Sequence, residues 1–272
     1  MNTLILVIIF TAIGGILSVM AASLFLLLSG PQQEKVLPHG ISFAVGALLT
    51  VAFCGLIPQA FAETPVAEMP SLSASILIGI LLFFVLEKLL VWRHCHSHSC
   101  VAHGEDADHG HHSHGHQHGH RSAGVFIIVG DSIHNFVDGV LIAAAFLTDV
   151  QLGIVTSLAV AAHEIPQEVG DFAILLHSGY SRGKALFYNV LSSLATVAGG
   201  VLAYLGLGSL HESLPYFLTL AASSFIYIAV ADLIPSLHQK TDLKTSLQQI
   251  GFILAGVGLI LLMQGIAHGF EG

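Results

Sequence analysis

Charge is what this chain has least of. Only 9% of its 272 residues are Asp, Glu, Lys or Arg, against 54% hydrophobic, which leaves too little polar surface to clothe a soluble domain of this size. Its three cysteines, Cys54, Cys95 and Cys100, are odd in number and give no disulfide framework. Strand-length alternating segments are absent, which disfavours a barrel, and no ATP-binding motif or nucleic-acid signature occurs.

Long apolar runs are what the chain has instead. A spanning helix needs ~20 predominantly apolar residues, and eight runs qualify: 4–28, 39–61, 71–92, 123–147, 151–177, 184–208, 214–238 and 247–268. They predict an all-α integral membrane protein with eight transmembrane helices. Leu4–Leu28 has no basic stretch before it and is too long for a signal-peptide core, so it reads as a retained helix.

All eight basic residues, Lys35, Lys88, Arg93, Arg121, Arg182, Lys184, Lys240 and Lys244, fall on one side of an eight-helix arrangement. The positive-inside rule makes that side cytoplasmic and puts both termini outside. The expected location is an inner or plasma membrane. The opposite connections carry Glu63, Glu68, Asp149, Glu212 and Glu271, an acidic face that raises the local cation concentration.

Between the third and fourth runs lie His94, Cys95, His96, His98 and Cys100, then His103, His109, His111, His112, His114, His116, His118 and His120, among Gly, Ser and Asp. Such a stretch buries no apolar surface and reads as a disordered cytoplasmic loop. Imidazole and thiolate suit zinc, so the loop reads as a metal buffer or sensor. The chain then divides into residues 1–93 (helices one to three), 94–122 (loop), 123–180 (helices four and five, carrying a metal site) and 181–272 (helices six to eight), one membrane domain in all.

Five carboxylates sit inside two apolar segments that contain no Lys or Arg: Asp131 and Asp138 in Gly124–Leu147, and Glu164, Glu168 and Asp171 in Leu152–His177. A buried charge in a bilayer costs roughly 2.5–3.5 kcal/mol on insertion scales, so such residues face a bundle interior and serve a function. Asp131, His134, Asn135 and Asp138 share an arc of about 100° on one helix, and His163, Glu164, Gln167, Glu168 and Asp171 cover roughly 140° on the next. His177 continues the second stripe toward the loop side.

His134 and His163 each lie roughly 17 Å from the start of their own segment, so an antiparallel pair brings them level near the midplane. Nitrogen and oxygen donors gathered there suit Zn²⁺, Fe²⁺, Mn²⁺ or Cd²⁺. Pro166 gives its helix no hydrogen bond, freeing the Ala162 carbonyl and predicting a bend. Asp232 reads as a solvated helix terminus.

The motifs His134-Asn135-Phe136-Val137-Asp138-Gly139 and His163-Glu164-Ile165-Pro166-Gln167-Glu168-Val169-Gly170-Asp171 resemble the ZIP (Zrt-, Irt-like protein) family of divalent metal transporters, specifically its histidine-rich subfamily. That resemblance implies a 3+2+3 bundle in which helices one to three and six to eight form an inverted repeat. Leu56-Ile57-Pro58 and Leu233-Ile234-Pro235 occupy corresponding places. It also implies a binuclear centre, with one metal on His134, Asp138, His163 and Gln167, and a neighbour on Asn135, Glu164 and the shared Asp138. The subfamily usually has a second His where this chain has Gln167, and related proteins supply a helix-six acid where this chain has Thr196; Glu168 compensates.

The leading expectation is a secondary transporter, not an enzyme, that imports a divalent metal past Glu168, Asp171 and His177. Its expected partners are metal ions and the bilayer, with a homodimer left open and no nucleic acid. The alternatives are a metal sensor, an exporter, or an intramembrane metalloprotease, since His163-Glu164-x-x-Gln167 looks like a decayed H-E-x-x-H.

Overall fold

The computed structural model describes residues 2–62, 64–95, 117–207, 211–238 and 242–268; for 89–95, 117–123, 126, 211 and 266–268 the backbone alone is described. Among these residues there is no strand. The described residues form eight long helices: α1 (Thr3–Phe25), α2 (Gly30–Ala62), α3 (Met69–Cys95), α4 (Gln117–Thr148), α5 (Val150–His177), α6 (Arg182–Leu207), α7 (Leu214–Leu237) and α8 (Leu243–His268).

Seven of them contain stretches long and apolar enough to cross a membrane. The exception is α5, whose 28 residues reach roughly 42 Å, more than the ~30 Å of bilayer hydrocarbon. Its polar side chains, from His163 to Asp171, keep it out of the apolar set.

Several helices begin before their apolar runs. Starting at Gly30, α2 has its polar first turn held by a capping box, in which Ser29 N–H donates to Gln32 Oε1 at 3.0 Å. Backbone helicity likewise reaches Cys95 on one side of the histidine-rich segment and begins again at Gln117 on the other. An apolar run marks where lipid lies, and the helix ladder continues beyond it. Asp149 alone separates α4 from α5; its carboxylate accepts from Leu152 N–H at 2.7 Å, so this acid of the outer connections serves as a helix cap.

The end of α5 is a Schellman turn. Gly179 takes φ +85°, its N–H donates to the Leu176 carbonyl at 3.0 Å, and Tyr180 N–H donates to Leu175 at 3.1 Å.

Register fixes the directions. Ser71, Ser75 and Ser223 of α3 and α7 meet Tyr216, Thr219 and Ile76 in rising order, so these helices are parallel. So are α4 and α6, through Asp131–Ser192 and Asn135–Thr196. In contrast, α4 and α5 are antiparallel, with Phe146 against Gly153 and His134 beside His163. The C-terminal parts of α3, α5 and α7 and the N-terminal part of α4 line one cavity, through Glu87, Asp171, Ser236 and Ile127, and the α1–α2 turn meets the α5–α6 turn across another, through Leu27, Gln33, Leu176 and Arg182; these ends share one side, hereafter the basic side.

Two crossings are close because glycine removes a side chain from each partner. A Cβ at Gly139 would strike the Thr196 carbonyl and one at Gly199 the Phe136 carbonyl, joining α4 to α6. Gly46 and Gly256 do the same against Ile253 and Phe43, joining α2 to α8. The pairing carries an internal symmetry: α2 with α8 mirrors α7 with α3, as an inverted repeat requires.

A second mark of the repeat lies in the backbone. Wide π turns occupy Val51–Leu56 in α2 and Ile228–Leu233 in α7, each running directly into Ile-Pro. Pro58 and Pro235 cannot bond to the carbonyls of Cys54 and Ala231, and the widened turn takes up that missing bond. By contrast, α5 runs continuously through Pro166.

Candidate metal centre

Midway along α4 and α5, four side chains converge. His134 Nε2 lies 3.4 Å from His163 Nε2, 3.4 Å from Glu164 Oε1 and 3.7 Å from Asp138 Oδ2. His163 Nε2 lies 3.2 Å from Asp138 Oδ2 and 3.5 Å from Glu164 Oε1. Four donors about 2.05 Å from a tetrahedral zinc are separated by ~3.3 Å. The five measured edges bracket that value, so the cage has the size of a zinc ion.

The tautomer is set from behind. His163 Nδ1 is 3.2 Å from the Ala159 carbonyl; a carbonyl only accepts, so the proton sits on Nδ1 and the Nε2 lone pair faces the cage. His163, Asp138 and Glu164 are buried, while the His134 side chain keeps 23% exposure and forms the open wall. Both oxygens of Asp138 and both of Glu164 are buried without a hydrogen-bond donor. Leaving such groups unmet is costly, and a cation meets them.

Glu164 also belongs to a second group. Carboxylate oxygens of Asp131, Glu164 and Glu168 lie within 4.8 Å of one another, all three residues being buried. Asn135 stands beside this group as a tether: its amide N–H₂ donates to Asp131 Oδ1 at 2.8 Å, and its Oδ1 accepts from Thr196 at 2.7 Å. Ser192 donates to the other Asp131 oxygen.

Gln167 and Asp171, with Asp131, Pro166 and the exposed edge of His134, line a cavity of about 510 Å³ between α3, α4, α5 and α7. Its remaining walls come from the ends of those helices nearest the basic side, so the cage opens that way. On the other side of His163 the bundle is one apolar cluster, including Leu48, Val51, Leu141, Ile142, Leu218 and Phe225, all fully buried. The Phe225 ring stands 6.3 Å from that of His163 and closes the cage.

Three placements depart from the sequence reading. Asp232 lines the cavity rather than marking a mere helix end, and Glu87 with Tyr227, which the sequence reading passed over, faces it from α3 and α7; the Tyr227 hydroxyl donates to Glu87. Glu87 was concealed by Lys88 beside it, which made that stretch look like an ordinary basic helix end. His177 is exposed and bonds its own helix, Nδ1 to the Ala173 carbonyl at 2.8 Å, away from the cavity walls. The loop residues His96, His98, Cys100, His103, His109, His111, His112, His114 and His116 lie outside the described residues, as do the side chains of His94, Cys95, His118 and His120.

Comparison with known proteins gives a consistent result. The family described as ZIP Zinc transporter matches residues 1–264. Zinc transporter ZIP13 of Pongo abelii is 31% identical over 234 residues, 82% of this chain and 65% of that protein. Metal cation symporter ZIP14 of Mus musculus is 28% identical over 307 residues, covering 89% of this chain and 62% of the other. Zinc transporter ZIP4 of Homo sapiens is 42% identical over 134 residues, 49% of this chain and 20% of that protein. This chain thus spans less than two thirds of each of these relatives.

Proposed function

The chain belongs to the ZIP family of zinc transporters, and from that premise we propose that it carries a divalent metal across the membrane into the cytoplasm through the cage between α4 and α5. Zinc is the first substrate; Fe²⁺, Mn²⁺ and Cd²⁺ fit the same mixed donor set. One observation carries the reading: two imidazole nitrogens and two buried, donorless carboxylates meet at zinc spacing inside membrane-spanning helices.

The basic side is the cytoplasmic one, since it holds every Lys and Arg of the chain. The cavity opens to that side and the apolar cluster closes the other, an inward-open arrangement. Metal released from the cage meets Asp171, Glu87 and Asp232 on its way out, then the imidazoles of the histidine-rich segment, which act as a cytoplasmic buffer. Motion between helix groups, driven by the metal gradient or a coupled ion, would open the acidic outer face.

A protease role fits poorly. In that chemistry the Glu of the motif stands free as a general base, whereas Glu164 Oε1 sits 3.4 and 3.5 Å from the two imidazoles. Its place is that of a ligand.

The test is zinc uptake by sealed liposomes containing the full chain. His134→Ala and His163→Ala should each lose uptake by at least about 100-fold while the protein remains folded, because even partners behind a ligand are worth 10–100-fold. Wild-type rates in both variants would overturn the reading. Binding without uptake would make the protein a sensor, and outward movement an exporter. Replacing residues 96–116 by Gly/Ser of equal length should leave uptake largely intact; total loss would put that segment on the conduction path.

A further inference from the structure

A groove of about 730 Å³ lies where α1 and α5 end and α6 begins, and it shares no residue with the cavity that leads from the cage. Its back wall is Phe172 and Leu176 of α5; its flanks are Met20 and Leu24 of α1 and Leu186 of α6. Phe172 is buried, whereas both flanks are exposed, so the trough is closed behind and open outward to lipid. Its end is preformed: the Gln33 side-chain N–H₂ donates to the carbonyls of Leu26 and Leu28 at 3.3 and 2.9 Å, holding the α1–α2 turn shut. Tyr180 and Tyr188 pack on the same apolar cluster as Phe172 and Leu176, with ring centroids 5.6 Å apart. Tyrosines gather at the membrane–water boundary, which sets this end of the groove at headgroup level.

We infer that this groove holds one anionic phospholipid of the cytoplasmic leaflet, with an acyl chain along Phe172 and Leu176 and the phosphate on the Arg182 guanidinium. The inference rests on reading the basic side as cytoplasmic, and it does not involve the zinc cage. Arg182 lines the mouth of the groove, and among the described residues no Asp or Glu lines it and Arg182 joins no ion pair. Lys184, two residues on, is exposed and adds a second positive charge.

The chemistry at each end selects the occupant. A planar guanidinium takes a phosphate through two parallel hydrogen bonds, and the cytoplasmic leaflet is where anionic lipid draws basic residues. The trough itself offers little to a peptide. Its neutral polar side chains, Ser23 and Gln33, already donate to backbone carbonyls, Ser23 to Val19 at 2.7 Å. An extended protein segment laid there would leave its own backbone groups unmet, whereas an acyl chain has none to meet. Because Phe172 follows Asp171 directly, a lipid in the groove braces the turn of α5 that lines the metal's way out.

Native mass spectrometry of the full chain in detergent, titrated with phosphatidylglycerol and with phosphatidylcholine of the same acyl chains, tests this. Wild type should retain one phosphatidylglycerol in preference to phosphatidylcholine. Arg182→Gln should reduce that preference about fivefold, the effect of one basic residue on an anionic lipid. Lys244→Gln, a basic residue of α8 outside the groove, should leave it unchanged. Leu186→Trp, on the exposed flank, should fill the groove and lose one bound lipid of either kind. Equal retention of the two lipids by wild type, or equal losses in Arg182→Gln and Lys244→Gln, would overturn the site. So would a changed oligomeric state in Leu186→Trp with phosphatidylglycerol binding intact, the mark of a groove covered by a second copy. Every readout here is of lipid, so normal zinc uptake by His163→Ala would sink the transport reading without moving any of them.

Discussion

The same two helices, α4 and α5, behave as opposites above and below His163. Toward Asp149, Leu141 to Phe146 are buried at 2% exposure or less, and Val155, Ala159 and Val160 pack against them and against Leu48 and Phe225. Toward the basic side the same helices bury carboxylates that no protein donor meets. Both halves are dense, and both are made by helices crossing at small residues. The first is complete as it stands, its apolar surfaces matched to one another; the second is complete only with cations in it. Function is placed where packing has been left unfinished, and the finished half serves as the seal.

Gly139 sits at the boundary, and its replacement should have the largest effect. Valine there drives a side chain into the Thr196 carbonyl and the Gly200 nitrogen, backbone atoms that cannot rotate aside. Overpacking costs about 1–3 kcal/mol where neighbours yield, and more against rigid backbone. Gly139→Val should give little monodisperse protein by size exclusion. Wild-type yield and melting would show that this crossing does not set the spacing of the two halves.

Phe225→Ala attacks the seal alone. The ring is fully buried, but lipid is as apolar as the core it leaves, so the loss should reach up to about 3 kcal/mol, the low end for buried phenylalanine. Melting temperature should fall in detergent while the stabilisation added by zinc stays constant, since the ring supplies no ligand atom. A reduced zinc-induced shift would mean that the seal shapes the cage.

Periodicity made the helices legible, because eight apolar runs of spanning length admit few other readings, and α4 and α5 could be paired from the depth of their histidines. Of the side chains expected on one metal, His134, Asp138 and His163 stand together in the structure, with Glu164 as the fourth neighbour, while Gln167 lines the cavity. Helical arcs place Gln167 and Glu164 on either side of the stripe centre and cannot decide between them. Glu87 and Asp232 stayed hidden because contacts between α3 and α7 join residues some 140 positions apart, which no local pattern encodes. The role of Asn135 was equally illegible, since it depends on where the Thr196 hydroxyl points.

That hydroxyl supplies the finest division of the polar half. Thr196 donates to Asn135 Oδ1 at 2.7 Å, and Asn135 in turn holds Asp131; neither Thr196 nor Asn135 belongs to the histidine cage. Thr196→Val keeps the shape and strands a buried acceptor, at a cost of about 1–3 kcal/mol. Melting temperature in detergent should then fall, zinc uptake should hold its wild-type KM, and Thr196→Ser should restore the melting temperature. If zinc uptake falls in step with melting temperature, the support behind Asp131 and the histidine cage are coupled too tightly for either to be altered alone. The contrast would then lie only between the seal and a single, indivisible polar unit.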